Sequence, residues 1–71
     1  MKTINQMKEE NYGSITSKTI KDLVELDPNY MVLIRCGSCR LTCKAMDVEH
    51  LVEIIDESSN DYVRDVSFLA S

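Results

Sequence analysis

Two short runs rich in apolar and β-branched residues, 30–36 and 39–45, flank the pair Gly37-Ser38. This pattern predicts a β-hairpin, and a glycine-first pair suits a two-residue type II′ turn. Such a turn determines which residues face each other across the two strands. The predicted pairs are Cys36 with Cys39, Arg35 with Arg40, Ile34 with Leu41, Leu33 with Thr42, and Val32 with Cys43.

The predicted register gives the hairpin two different faces, because successive side chains of a strand point to opposite sides. The apolar face should hold Val32, Ile34, Cys36, Cys39, Leu41 and Cys43. The second face should hold Met31, Leu33, Arg35, Arg40, Thr42 and Lys44. Because an isolated hairpin is marginally stable in water, we expect helices over the apolar face and a further strand alongside.

A helix is predicted before the hairpin. Thr19 and Asp22 have the spacing of a capping box, and apolar residues recur after them at helical intervals. Pro28 cannot continue a helix interior, so the helix should end by Asp27 and the chain should turn there into the first strand. Residues 1–14 are expected to be either flexible or a short extra element, namely a helix after Thr3 that stops at Gly13.

A second helix is predicted from Val48 to about Glu57. Asp47 is a suitable N-cap, and Met46 could pack on Leu51 as a hydrophobic staple. On a helical wheel, one side gathers Val48, Leu51, Val52 and Ile55, and the opposite side gathers Glu49, Glu53, Asp56 and Glu57. The helix should therefore turn its apolar side to the sheet and leave its carboxylates in water.

The C-terminal segment from Tyr62 to Leu69 is predicted to be a strand, with Tyr62, Val66 and Phe68 on one face and Arg64 interrupting it. The resulting order is α-β-β-α-β. It predicts a small α+β domain, a three-stranded and mainly antiparallel sheet with helices covering one face. Seventy-one residues suffice for one such domain, so residues 1–71 are treated as a single unit.

Charge is distributed unevenly along the chain. The net charge is −4, and residues 45–71 contain seven Asp/Glu but only one Lys/Arg. An acidic surface repels nucleic acids and phospholipid headgroups, so neither direct nucleic-acid binding nor membrane binding is expected. The first residues lack the apolar core of a secretory signal and no apolar run is long enough to span a membrane, which predicts a cytoplasmic protein.

The most distinctive group of potential ligands is Cys36, Cys39 and Cys43 followed by His50. Three thiolates and one imidazole can complete a tetrahedral zinc site, so a small zinc-binding module is one alternative. The other interpretation is that the cysteines are free thiols on the apolar hairpin face, with no cofactor. Cys36 and Cys39 also have the C-x-x-C spacing of thiol oxidoreductases, but the pair joins two strands and lacks the helix N-terminus that activates such a thiol.

Catalytic groups are sparse. His50 has Glu49 and Glu53 nearby, yet no nucleophile is placed beside it and two glycines cannot form a phosphate-binding loop. A surface histidine on an acidic helix is the better interpretation, and no enzymatic activity is predicted.

The candidate binding site is the set of carboxylates in the last third of the chain. It comprises Glu49, Glu53, Asp56, Glu57, Asp61 and Asp65. Like charges at helical spacing repel each other, and a solvated helix usually interleaves both signs. Two interpretations follow: the carboxylates form an ordinary solvated face, or they form a contact surface for a basic partner. The predicted function is based on the second interpretation. The basic hairpin residues Arg35, Arg40 and Lys44 leave open a second possibility, a self-associating adaptor or homodimer.

Small size, these acidic residues and the lack of a catalytic set resemble the small early proteins of phages that inactivate host factors. Within that class are acidic DNA mimics that block histone-like nucleoid proteins such as HU. The resemblance implies a non-enzymatic inhibitor that occupies the DNA-binding surface of a basic host protein in the host cytoplasm. Separately, the stretch TIKDLVELDPNYMVLI is similar to the helix-Pro-strand unit of small phage and bacterial α+β proteins, which bears on the fold alone.

Overall fold

The structure, a computed structural model, describes residues 3–11, 14–58 and 61–69. In order, these residues form α1 (Ile4–Glu10), α2 (Ser17–Leu26), β1 (Met31–Cys36), β2 (Arg40–Lys44), a 3-10 turn (Ala45–Asp47), α3 (Val48–Glu57) and β3 (Val63–Phe68). The strands form one antiparallel sheet in the order β2-β1-β3. The predicted α+β class is confirmed.

The hairpin has the predicted register. The observed partners are Met31 with Lys44, Val32 with Cys43, Leu33 with Thr42, Ile34 with Leu41, and Arg35 with Arg40. On the apolar face Val32, Ile34, Cys36 and Cys43 are buried, as expected. Cys39 was predicted to belong to that face but is exposed, because it lies beyond the last pair of the ladder, at the tip of the hairpin.

The turn at the tip differs from the predicted type II′ turn. The φ angle of Gly37 lies outside the positive range that such a turn requires at its first central residue. Glycine serves a different purpose here, because a Cβ at this position would lie 2.6 Å from Cε1 of Tyr62 and 3.0 Å from Oδ1 of Asp61. The close approach of the segment before β3 therefore leaves no room for a side chain at residue 37 unless the neighbouring side chains move.

A β-bulge at Arg64 changes which side chains of β3 face the core. Arg35 pairs with Asp65, but the next residue of β1, Cys36, pairs with Val63, so Arg64 is the extra residue. Because of the extra residue, the side chains before Arg64 point to the faces opposite to those predicted. Arg64 therefore does not interrupt the apolar face of β3, and Val63 lies on that face in place of Tyr62. Tyr62 precedes β3 and is 61% exposed, and the prediction that it shares a face with Val66 and Phe68 is wrong.

α2 begins one turn earlier than predicted. Its N-cap is Thr16, whose hydroxyl accepts a hydrogen bond from the Thr19 amide at 3.3 Å. Thr19 thus lies within the helix and is not its cap, and its own hydroxyl donates to Oδ1 of Asn11 in the segment after α1. The C-terminal boundary is as predicted, with Asp27 as the C-cap before Pro28.

α3 has the predicted bounds, but its N-terminus is built differently. Asp47 occupies the N-cap position with a helical backbone and makes no side-chain capping bond, because a 3-10 turn leads directly into the helix. Met46, the residue predicted to be a staple, is 55% exposed. The apolar side of α3 nevertheless faces the core, where Val48 is buried and Leu51, Val52 and Ile55 are half-buried.

The N-terminal element is a short helix, α1, held by a capping box between Thr3 and Gln6. Met7 anchors it in the core with 2% exposure. Lys8 lies over the ring of Tyr30, with its Nζ 5.5 Å from the centroid. The predicted stop at Gly13 lies outside the described residues.

One hydrophobic core lies between the helices and one face of the sheet. Its buried members are Met7, Ile15, Ile20, Leu23, Val32, Ile34, Cys36, Cys43, Ala45, Val48 and Val66. The second face of the sheet holds the exposed Arg40, Thr42 and Lys44 of the edge strand β2. Charged side chains on an edge strand discourage pairing with another chain. Among the described helices, none has the length and apolar character needed to cross a membrane.

Candidate functional site: an acidic helix beside an aspartate-braced turn

The six carboxylates predicted as a binding site divide into two groups. Glu49, Glu53 and Glu57 lie along the exposed side of α3, and we call them the acidic ridge. Within the described ranges, none of the three side chains forms an ion pair or a hydrogen bond. The ridge therefore has the unpaired, solvent-facing character that the helical wheel predicted.

The three aspartates, in contrast, are bound to other parts of the chain. Oδ1 of Asp56 accepts a hydrogen bond from the amide of Val63 at 3.2 Å, which ties the end of α3 to the start of β3. This contact engages one oxygen of an exposed carboxylate. Asp56 contributes charge to the surface beside the ridge while it holds the connection between the two elements.

Asp65 forms an ion pair on the second face of the sheet. Its two oxygens accept hydrogen bonds from Nε and Nη2 of Arg35, both at 2.6 Å. The two residues are direct partners across β1 and β3, so the strand register itself brings them together. The hydrogen bonds and charge of Asp65 raise the pKa of the Arg35 guanidinium further above its ordinary value. The negative charge of Asp65 is consequently compensated by Arg35 within the chain.

Asp61 holds the tip of the hairpin. Its Oδ1 accepts the amides of Gly37 at 2.8 Å, Ser38 at 3.3 Å and Tyr62 at 2.8 Å. Its Oδ2 accepts the Ser38 hydroxyl at 3.0 Å and the Cys39 thiol at 3.7 Å. The amide of Gly37 also donates to the Tyr62 carbonyl at 2.9 Å. The turn is therefore braced by the segment before β3.

These donors favour the ionised form of Asp61. The hydrogen bond from the Tyr62 amide is the largest cause that holds the pKa of the Asp61 carboxyl below its ordinary value, and the bonds from Ser38 and Gly37 act in the same direction. A carboxylate that accepts several amide hydrogen bonds has a structural function at the turn. It is less available to an external partner than the glutamates of the ridge.

Two neighbouring grooves lie beside the ridge, between α2 and α3. The larger, of about 380 Å³, is lined by Ile20, Lys21, Val24, Glu25, Ala45, Met46 and Glu49. The smaller, of about 230 Å³, is lined by Ile15, Ser17, Ile20, Val48, Glu49, Val52, Val63, Asp65 and Val66. Ile20 and Glu49 line both grooves, so the first glutamate of the ridge stands at the edge of a largely apolar depression. Sequence reasoning did not find these grooves, because they depend on how two separate helices are placed.

The four residues considered for a zinc site do not come together. Ligand atoms of Cys36, Cys39 and Asp61 lie within 4.8 Å of one another, and we call this group the turn cluster. In the part of the chain that the structure describes, no such group includes Cys43 or His50. Cys43 is buried opposite Val32, and His50 is exposed on α3.

The two buried thiols, Cys36 and Cys43, lie in surroundings that disfavour the thiolate. Burial, followed by the neighbouring Cys39 and Asp61, raises the pKa of Cys36 to about 11. A catalytic C-x-x-C motif requires a lowered thiol pKa. Burial also raises the pKa of Cys43. The environment of both buried thiols therefore favours the protonated form.

The fold and these surfaces define a small α+β domain with an acidic helical ridge, two adjoining grooves and a braced hairpin. Comparison with protein-family models, curated proteins and solved structures found no match to the chain.

Proposed function

We propose that the protein acts by binding, without catalysis, a basic nucleic-acid-binding protein, and that it inhibits this partner by occupying the surface that would contact DNA. The acidic ridge is the proposed contact surface. The observation that carries the proposal is that Glu49, Glu53 and Glu57 follow one another on an exposed helix face with no paired cation among the described residues. A histone-like nucleoid protein such as HU is the partner class that this chemistry suits.

The electrostatics support such a partner. Successive glutamates of the ridge are separated by about 6 Å of helical rise and repel each other by a few tenths of a kcal/mol per pair. A cationic surface relieves this repulsion on binding and gains charge complementarity. Because nucleic acid carries the same sign of charge as the ridge, the two would compete for one basic surface.

The grooves support a contact that is not purely electrostatic. Ile20, Val24 and Met46 give the larger groove apolar walls, and its charged lining residues are Lys21, Glu25 and Glu49. An aliphatic side chain of a partner could enter the groove while a neighbouring lysine or arginine meets the carboxylates. We propose that this combination distinguishes a specific basic partner from any cationic surface. A cytoplasmic location is part of the same proposal.

The test is a binding titration with a purified histone-like protein at several salt concentrations, with and without competing DNA. We expect the affinity to fall as ionic strength rises and DNA and the acidic protein to exclude each other. Glu53→Lys should weaken binding about tenfold. The matched control is Glu9→Lys on α1, which changes the net charge equally at another exposed position.

The two variants separate a defined surface from a general effect of charge. Equal losses for Glu53→Lys and Glu9→Lys would assign binding to net charge and not to the ridge. Affinity that does not change with salt would exclude the electrostatic contact altogether.

A further inference from the structure

We propose that Cys36, Cys39 and Asp61 form a binding site for Zn²⁺ at the tip of the hairpin, with solvent water as the fourth ligand. The site is independent of the acidic ridge and of the proposed partner. It differs from the four-residue set that the sequence suggested, since the carboxylate of Asp61 takes the place of Cys43 and His50.

The spacing of the ligand atoms fits one metal ion. The Sγ atoms of Cys36 and Cys39 and a carboxylate oxygen of Asp61 lie within 4.8 Å of one another. Zn–S and Zn–O bonds of about 2.3 and 2.0 Å at a tetrahedral angle place sulfur and oxygen about 3.5 Å apart. The distance between Cys39 Sγ and Asp61 Oδ2 is 3.7 Å. A metal ion could therefore replace the thiol proton that now lies between these two atoms with little movement of either.

The surroundings already orient the carboxylate. Oδ1 of Asp61 accepts the amides of Gly37, Ser38 and Tyr62, which leaves Oδ2 directed at the thiol. The hydroxyl of Ser38 also donates to Oδ2 at 3.0 Å. Hydrogen bonds from outer groups to a ligand carboxylate are a regular feature of metal sites and hold the ligand in its productive orientation.

The mixture of buried and exposed ligands suits an ion that enters from solvent. Cys36 is 4% exposed and faces the core, whereas Cys39 and the neighbouring Tyr62 are exposed. Two thiolates select a soft or borderline cation, and the carboxylate oxygen favours Zn²⁺ over Cu⁺. When the hydrated ion binds, two thiol protons leave to solvent, and two Zn–S bonds and one Zn–O bond to Asp61 replace bonds to hydration waters. One water stays bound as the fourth ligand, and no oxidation occurs.

The experiment uses the full chain, purified under a non-thiol reductant, with Co²⁺ as the spectroscopic probe. We expect thiolate-to-cobalt charge-transfer absorption that saturates at about one ion per chain and disappears when Zn²⁺ displaces the probe. Cys39→Ser should abolish the signal, and because this side chain is exposed, folding should not depend on it. Asp61→Asn should weaken binding at least about tenfold.

Cys43→Ser is the matched control and should keep the signal, because Cys43 lies outside the turn cluster. A second measurement needs no variant: in the wild-type chain, Zn²⁺ should slow alkylation of Cys39 and leave that of Cys43 unchanged. A wild-type chain without charge-transfer absorption would overturn the proposal. So would a signal that survives Cys39→Ser, or Zn²⁺ that leaves the alkylation of Cys39 unaltered.

Discussion

The glutamates of α3 and the aspartates around it have the same charge but different surroundings. Glu49, Glu53 and Glu57 project from a helix into solvent and contact no described cation. Asp61 precedes β3 and accepts amides of a turn, whereas Asp65 lies within β3 and pairs with an arginine. Net charge alone therefore does not define a binding surface, because some carboxylates serve the fold itself.

The difference follows from side-chain length and from the local backbone. An aspartate carboxylate is close to its own main chain, so it readily accepts amides of a turn or of a neighbouring strand. The carboxylate of a glutamate on a helix surface is carried away from a backbone whose amides are already bonded within the helix. The two groups should therefore respond differently to substitution.

The largest effect is expected for Asp61→Ala. The change leaves the amides of Gly37 and Ser38 without their carboxylate acceptor and removes the contact that joins the hairpin tip to β3. The melting temperature should fall more than for any single substitution in the acidic ridge, as measured by circular dichroism. Ser38→Ala removes only the hydroxyl contact and should have a smaller effect. Equal falls in melting temperature for the two variants would show that the hydrogen bonds from the amides to Asp61 do not contribute to stability.

Protonation of the Asp61 carboxylate should contribute to the loss of stability in acid. The pKa of Asp61 is lowered in the folded chain, so the unfolded chain binds the proton more readily. The stabilisation is present above the ordinary aspartate pKa of about 3.9 and is lost as the pH falls through the lower folded-state value. Denaturant titrations of the wild type between neutral and acidic pH should show this loss. Asp61→Asn should show a shallower dependence in the same range, and an unchanged slope would contradict the assignment.

Gly37→Ala tests the close approach at the turn. The added Cβ would lie 2.6 Å from Cε1 of Tyr62, so the ring must move. Because Tyr62 is 61% exposed and can swing outward, we expect a cost near the lower end for overpacking, about 1 kcal/mol. Chemical denaturation measures it. A second substitution, Tyr62→Ala, should recover part of the lost free energy of unfolding. No recovery would indicate that the contact of the added Cβ with Oδ1 of Asp61 causes the loss.

The pair of Arg35 and Asp65 should give a measurable but smaller coupling. Its geometry is bidentate, yet the arginine side chain is 42% exposed, and solvent weakens such a pair. A double-mutant cycle with alanine at each position isolates the interaction from the loss of either side chain. High salt should reduce the coupling energy. Coupling that is absent at low salt would show that the pair contributes nothing to stability.

The smallest effect on stability is expected for the acidic ridge. Replacing Glu53 by glutamine removes two like-charge contacts at a spacing of four residues, each worth about 0.2–0.5 kcal/mol, so the free energy of unfolding should rise slightly. The same substitution should weaken binding to a basic partner. A clear loss of stability would reveal a structural contact for Glu53. It would contradict the distinction between solvent-facing glutamates and aspartates bound within the chain.

Local patterns in the chain predicted a large part of the fold. The pair Gly37-Ser38 and the flanking apolar runs set the hairpin register, and Pro28 set the end of α2. The apolar positions of α3 predicted its bounds and its buried side. These features depend on interactions between residues that are close in sequence, such as turn length, helical periodicity and the missing amide of proline.

Other features required the tertiary structure. The bulge at Arg64 reverses the faces of β3, and no local pattern specifies it, because a bulge depends on how one strand meets another. The contacts of Asp61 with Gly37 and Ser38 join residues more than twenty positions apart. A charge count cannot distinguish these aspartates from free ones. The strand register and the placement of the helices determine which aspartates are bound within the chain.

The main helices, the hairpin and the exposed glutamates of α3 thus follow from local sequence patterns, since each depends on the periodicity of a single segment. The carboxylates that serve the fold, the position of the grooves and the ligand atoms that meet at the turn emerge when separate segments pack together. Hydrogen bonds and ion pairs act over a few ångströms in space, and the distances between remote segments are determined by packing.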